Sequence, residues 1–452
     1  MSGHRQGGAE RILAIFTDVR GGEAAPTLRL ALRLFLVLFA YYLLKPTREA
    51  LILEHGGAEL RSYAIALQAL VLMVAIPAYS LLLRRRCGEA MYTFATVFFV
   101  ACLGAFWLLG RAGADIGFPF FVWLGIFSVM QVAQFWALAA HLHSVEAGQR
   151  LFALVALGGS LGAVAGARSA ARVFEWLGPY GLIVAAACLL LASIPLGRIR
   201  RPGAGTATPG AFGADPWRAL SSGFRQVLGH PYLRLIALFV VLLNCINSTG
   251  EFILARFLVE SFAALPPAER AARIGAFYGD FFFWVNILSL GLQAFAVSRI
   301  YRAIGVGGAL MVLPLIAASG YALLAAAPVF ALVRLVKIIE NSTDYSLQST
   351  TRHALFLPVD TASKFEGKTT IDTFFWRLGD LGHAGLVWLG SGVLGLGIPA
   401  FAGLNLGLSL VWIGVAALLA RHYRQLAVPA CAPASAAEAP PANSPAPGRA
   451  AA

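Results

Sequence analysis

The sequence predicts an all-α membrane protein with 12 transmembrane helices. Three observations carry that expectation. Hydrophobic residues make up 59% of the 452 residues and charged residues only 13%, against roughly 45–50% and 25% in soluble globular chains. Apolar runs of about 20 residues, the length that crosses a hydrocarbon core, recur along the whole chain. The runs lack the period-two alternation of barrel strands, which leaves the helix as the element that satisfies its backbone within one segment. The same composition excludes a soluble domain, a soluble domain with one anchor, and a disordered chain.

The expected spans, in order, are 28–54, 61–83, 91–110, 118–141, 151–174, 180–197, 231–259, 273–298, 307–326, 328–356, 369–396 and 399–421. The first 27 residues are polar and basic, and the first apolar run is too long for a cleavable signal peptide. A cytoplasmic N-terminal segment, 1–27, therefore precedes a six-helix bundle over 28–197. A linker at 198–230 contains Pro202-Gly203-Ala204-Gly205 and Pro209-Gly210, and a second six-helix bundle follows over 231–424. The Ala/Pro-rich tail, 425–452, reads as disordered.

The net charge is +13, from 35 Lys+Arg against 22 Asp+Glu. Basic residues cluster in alternate loops: Arg84-Arg85-Arg86, Arg150, Arg198 with Arg200 and Arg201, Arg299 with Arg302, Arg352 with Lys364 and Lys368, and Arg421 with Arg424. Arg61, Arg111, Arg270 and Arg273 fall near helix ends on the other side. This alternation places both termini in the cytoplasm. The positive charge thus sets topology, and no nucleic-acid partner is expected. The partners are the lipid bilayer and a small-molecule cargo, and a monomer is expected. The cysteines Cys87, Cys102, Cys188, Cys245 and Cys431 are scattered, so neither a disulfide framework nor a metal site is suggested. Walker A, GxSxG and HExxH motifs are absent. The chain reads as no enzyme, without a cofactor.

The two halves resemble each other faintly. Thr47-Arg48-Glu49 and Thr249-Gly250-Glu251 lie at similar depth in spans 1 and 7. Gly159-Ser160-Leu161-Gly162 in span 5 mirrors Gly379-Asp380-Leu381-Gly382 in span 11. With the six-plus-six division this suggests a major-facilitator-like 6+6 pseudo-repeat, whose cargo site lies near the midplane between the halves.

Ionisable groups at mid-span cost at least ~2.5–3.5 kcal/mol and face a cavity or a partner. Span 1 holds Tyr41, Lys45, Arg48 and Glu49 around Pro46, either as a cavity wall or as a Lys45–Glu49 pair at i, i+4. Span 7 offers Asn244, Asn247, Ser248 and Glu251 on one face, and span 8 offers Tyr278, Asp280 and Asn286. In span 10, Arg334, Lys337, Asn341, Asp344 and Gln348 form a continuous polar stripe beside Glu340 and Tyr345. Span 11 adds Asp372, Trp376, Gly379 and His383 on a shared face, with Arg377 and Asp380 able to pair. Candidate cargo ligands are Lys45, Arg48, Asn247, Arg334, Lys337, Asn341 and Arg377. Candidate coupling or gating residues are Glu49, Glu251, Asp280, Asp344, Asp372 and Asp380. Five cations (Lys45, Arg48, Arg334, Lys337, Arg377) thus face seven acids once Glu340 is included. The every-fourth glycines Gly158, Gly162 and Gly166 read as a small-residue packing face, and His141 and His143 as interfacial.

Several of these stretches resemble the ATP/ADP translocase family of bacteria and plastids, within the major facilitator superfamily. The resemblance is carried by Tyr41-Tyr42-Leu43-Leu44-Lys45-Pro46-Thr47-Arg48-Glu49-Ala50-Leu51 and by Asp344-Tyr345-Ser346-Leu347 through Leu357-Pro358 to Gly367-Lys368. Ile371-Asp372 and Arg377-Leu378-Gly379 complete it. It implies a facilitator-like exchanger that binds nucleotides without hydrolysing them, in a bacterial inner (cytoplasmic) membrane. The family's span 1 cation falls on Arg48 or Lys45 and its span 7 acid on Glu251. Asp380 stands where these translocases carry a lysine. The expected function is secondary active transport of a nucleotide or another organic anion by exchange or proton coupling. A proton-driven exporter of amphiphilic compounds and a non-transporting membrane scaffold or receptor remain as alternatives.

Overall fold

A computed structural model of the chain describes residues 23–85, 88–143, 145–197, 216–360 and 366–427. Residues 1–22 of the expected segment 1–27, residues 428–452 of the tail expected at 425–452, most of the linker, and Lys364 lie outside the described residues, while 425–427 of that tail are helical. Within them the structure is helical, with no strand. Helix α1 runs Ala24–Arg85 and breaks at Gly57 (φ 66°). Helix α2 runs Glu89–Arg111 and α3 runs Gly117–Leu142. Helix α4, Val145–Ser193, breaks at Gly178 (φ 61°). A linker helix, α5 (Pro216–Gly229), leads into α6 (Pro231–Ser261). Helix α7 (Pro267–Gly291) continues through a π-helical turn into α8 (Val297–Ala326), which breaks at Gly305 (φ 67°). Helix α9 (Phe330–Thr343) passes through a π segment, Asp344–Gln348, into α10 (Ser349–Ala354). A short α11 (Lys368–Thr370), a π segment over Ile371–Phe375 and α12 (Trp376–Val387) follow, and α13 (Ile398–Ala427) closes the chain.

Seven stretches among the described residues are long and apolar enough to cross a membrane. The breaks at Gly57, Gly178 and Gly305 fall in connections that the sequence places between spans. Only glycine adopts such a conformation without strain, so each break turns one long helix into two limbs. Many large apolar side chains point outward, among them Phe94, Phe98, Leu108, Trp176, Phe295 and Trp388. That is far more exposed apolar surface than a soluble monomer carries.

Close backbone approach holds the bundle together. A Cβ on Gly158 would lie 2.6 Å from the Ala31 carbonyl oxygen, and one on Gly166 would lie 2.6 Å from that of Phe39. One on Gly162 would strike the Phe35 carbonyl. The glycine stripe of α4 therefore seats the first limb of α1 residue by residue, in the manner of small-residue membrane interfaces. Gly379 on α12 does the same against α6, where a Cβ would lie 2.7 Å from the Val241 carbonyl. Gly275 and Gly279 of α7 press on Phe174 and Ala171 of α4.

Gly162→Val therefore forces the α1–α4 contact apart, and we expect it to cost about 1–3 kcal/mol. Thermal melting of the purified protein should show the loss. Gly104→Ala, which meets nothing within 4 Å, should leave the melting temperature unchanged.

Candidate functional site

The breaks and turns at Gly57, 112–116, Gly178, 262–266, 327–329 and 394–397 gather at one end of the bundle. Arg256 approaches Glu59 at 4.0 Å, Arg273 approaches Glu175 at 3.7 Å, and Arg270 donates to the Glu54 carbonyl at 3.4 Å. About 6–20 Å of helix below that end lies a layer of buried ions.

Its hub is Arg61, in the first turn of the second limb of α1 and 2% exposed. Its Nε donates to Glu49 Oε2 at 2.6 Å and its Nη2 to Glu251 Oε2 at 2.6 Å. Arg48 donates to the other oxygen of Glu49 from Nη2 at 2.7 Å, and its guanidinium lies over the Phe121 ring at 4.1 Å. One planar fork thus bridges acids from α1 and α6, a geometry available to arginine and not to lysine. Next to it, His383 of α12 contacts Ser62 of α1 at 3.1 Å and Thr249 of α6 at 3.0 Å. Towards the same end Asp280 of α7 accepts from Arg168 of α4 at 3.2 Å and from Arg334 of α9 at 2.6 Å.

The remaining polar residues divide into paired and unpaired. Lys337 is fully buried and donates to Asn247 Oδ1 at 2.6 Å, to the Asn247 carbonyl at 3.1 Å and to Glu340 Oε2 at 3.1 Å. Tyr321 donates to the same Glu340 oxygen at 2.9 Å. Asp380 accepts from Asn244 at 2.7 Å and from Arg377 at 3.3 Å. Asn341 reaches Glu251 at 3.5 Å.

Lys45 differs. Its ammonium lies 3.9 Å from the centroid of Phe282, 5.3 Å from Tyr42 and 5.8 Å from Tyr345. No carboxylate pairs with it and no acceptor receives its protons among the described residues. Tyr345, whose ring lies across from that ammonium, is 40% exposed. Beside Tyr345, Asp344 Oδ1, Asn341 Oδ1 and both polar atoms of Gln348 are buried without a partner.

Most of the sequence-predicted residues meet in this region. Asp372 does not. It is exposed and binds Lys368 at 2.8 Å at the opposite end. The π segment over 371–375 adds about 0.8 residue to the turn and rotates Asp372 off the expected face. The possible Lys45–Glu49 pair does not form, because Arg48 and Arg61 occupy both Glu49 oxygens. Arg61, expected near a helix end outside, is at the centre. Arg168 was hidden behind the glycine stripe of its own helix. Its one signal was an arginine inside an apolar run.

No family model matches the chain. Among curated proteins it is similar to ADP,ATP carrier protein 1 of Chlamydia pneumoniae, 23% identical over 334 residues, covering 63% of each chain. The protein of the same name from Chlamydia trachomatis is 24% identical over 336 residues, covering 63% of this chain and 61% of that one. The chain thus spans less than two thirds of the length of these relatives. Among solved structures, a POT family transporter in complex with 5-aminolevulinic acid superposes with a TM-score of 0.61 at 14% identity, covering 89% of this chain and 96% of that one. The nucleoside transporter NupG superposes at 0.59 and 12% identity, covering 89% and 98%. A bacterial homologue of ferroportin in an inward-facing state superposes at 0.59 and 16% identity, covering 89% and 100%.

Removing the hub takes a cation from fully buried Glu49 and from half-buried Glu251. We expect Arg61→Ala to lower stability by about 3–5 kcal/mol, the scale for breaking a buried pair. Adding Glu251→Gln to that variant should recover part of the loss in thermal melting.

Proposed function

We propose that this chain, related to the ADP,ATP carriers and built on the major-facilitator fold, is a secondary active transporter of an organic anion, with nucleotides as the first class to test. It would act by alternating access in a bacterial inner membrane, with twelve crossings, both termini cytoplasmic and six-helix halves at 28–197 and 231–424. The close α1–α4 and α6–α12 contacts, at Gly162 and Gly379, support equivalent halves. The observation that carries the reading is Lys45: a buried ammonium with no carboxylate bonded to it among the described residues, set on an aromatic face. A desolvated cation held that way favours an anionic ligand.

In this topology the ion layer lies towards the outside. Arg61–Glu251, Ser62–His383 and Arg168–Asp280 each tie the first half to the second. The ion pairs described at the opposite end, Arg33–Glu89, Arg150–Glu23 and Lys368–Asp372, each join residues of one half. The layer therefore acts as an outer gate, and transport requires that it open. Lys337, Glu340 and Asn247 brace α9 against α6, and Asp380 holds Arg377 in register with Asn244.

A second reading, proton-driven export of amphiphilic compounds, is favoured by the unpartnered carboxylate oxygen of Asp344. The two separate in proteoliposomes. Exchange predicts counterflow of a labelled anion, with ATP, ADP and smaller organic anions as probes, without a pH gradient. Export predicts flux of an amphiphile only with the gradient. Neither flux above empty vesicles would sink both.

The gate has its own test. In a background lacking all native cysteines, Ser62→Cys with His383→Cys should cross-link under oxidation. Flux should stop, then return on reduction. Flux that persists through a complete cross-link would remove the gate.

A further inference from the structure

Resting on the anion-transport reading, the charge arrangement narrows the cargo. We infer that the site takes an anion with a single charged centre on an aromatic, hydrogen-bonding body, of the nucleoside monophosphate class, and discriminates against polyphosphate chains.

The bundle's cations are almost all committed. Arg48 and Arg61 are held by Glu49 and Glu251. Arg168 and Arg334 share Asp280. Lys337 is held by Glu340, and Arg377 by Asp380. For the buried pairs at Glu49, Glu340 and Asp380, a ligand can recruit the cation only by stranding its carboxylate in a low-dielectric interior, which costs several kcal/mol per ion. Arg352, over the Trp376 ring at 4.3 Å, lies on the same helical segment as the unpaired Asp344, which offsets it. Lys45 is the cation with no acid bonded to it, and the one other surplus positive charge lies in the Arg168–Asp280–Arg334 cluster nearer the outer end. One ammonium matches one phosphate or carboxylate, bound as a point charge. A diphosphate or triphosphate brings further negative charge that no second unpaired cation beside Lys45 neutralises.

The rest of the site fits the body of such a ligand. Tyr345 offers an open ring face opposite Lys45, and Phe282 and Tyr42 wall the ammonium. The amide of Gln348, fully buried with neither polar atom partnered, and the free oxygens of Asn341 and Asp344 lie on adjacent turns. Buried groups of this kind find partners. Amides and a carboxylate together supply the donors and acceptors that the edge of a nucleobase requires.

The test uses the full chain, purified and in proteoliposomes, without divalent metal. The probes are the 5′-mono-, di- and triphosphates of adenosine, guanosine, cytidine and uridine, read by thermal shift and by competition in counterflow. For at least one base the monophosphate should bind tightest, with each added phosphate weakening binding about tenfold, the scale of one uncompensated charge at intermediate dielectric. Lys45→Gln should abolish the shift caused by the monophosphate. Asp380→Asn, which releases Arg377, should narrow the preference for the monophosphate over the triphosphate about tenfold. A second route to the same release, Asp380→Ser, covers the case in which the amide variant does not fold.

Di- or triphosphate binding as tight as monophosphate would overturn the inference and leave the transport reading standing. Binding of no nucleotide would also overturn it. Counterflow of the other organic anions then decides whether the transport reading falls too.

Discussion

An ion taken into a membrane bundle must bring its partner along. That rule governs the centre of this structure. Arg61 is 2% exposed and Glu49 fully buried, and neither could stay charged there alone at a tolerable cost. Their pairing, extended to Glu251 and Arg48, fixes how the two limbs of α1 meet α6. His383, Asp280, the Lys337–Asn247 contact and the Tyr321–Glu340 contact add further cross-ties, each between different helices. The helices are positioned by apolar packing, and the ions tie particular helices to one another. An arrangement that opened the layer would have to offer the freed groups water or other partners.

Glycine supplies the second constraint. The stripe Gly158–Gly162–Gly166 lets carbonyls of α1 sit where side chains would otherwise be. That brings Lys45 and Arg48 to the interior at a fixed depth. Gly379 gives α12 the same intimacy with α6 and so sets Asp380 beside Asn244. Close packing and charge placement are thus linked. A methyl group on the stripe would move a cation and would not simply loosen a contact.

The all-helical, membrane-crossing character was legible because bilayer thickness imposes a length on apolar runs, and the glycine breaks fall between the expected segments. The polar faces of spans 1, 7, 10 and 11 were legible because helical periodicity places residues three and four apart on one side. What faces them was not. Arg61 and Glu251 are 190 residues apart, and periodicity says nothing across that distance. Arg61 also follows Gly56-Gly57, so it read as part of a connection. The Arg377–Asp380 contact, three residues apart on one helix, could be read in advance. Asp372 could not, since a π turn changes the phase of the pattern and leaves no plain mark in the sequence.

The uncompensated ammonium of Lys45 has one more consequence, which concerns voltage. On the proposed reading, the empty protein carries a positive charge through the membrane that the loaded protein does not. A membrane potential acts on a moving charge with about 2.3 kcal/mol per 100 mV for a full traverse. The empty return would then carry one positive charge through the field, and the passage loaded with a nucleoside monophosphate, close to a dianion at pH 7, about one negative charge. A di- or triphosphate would make the loaded passage the more strongly charged leg. The polarity of the membrane would thereby choose the leg of the cycle that sets the pace, through one side chain in an aromatic box.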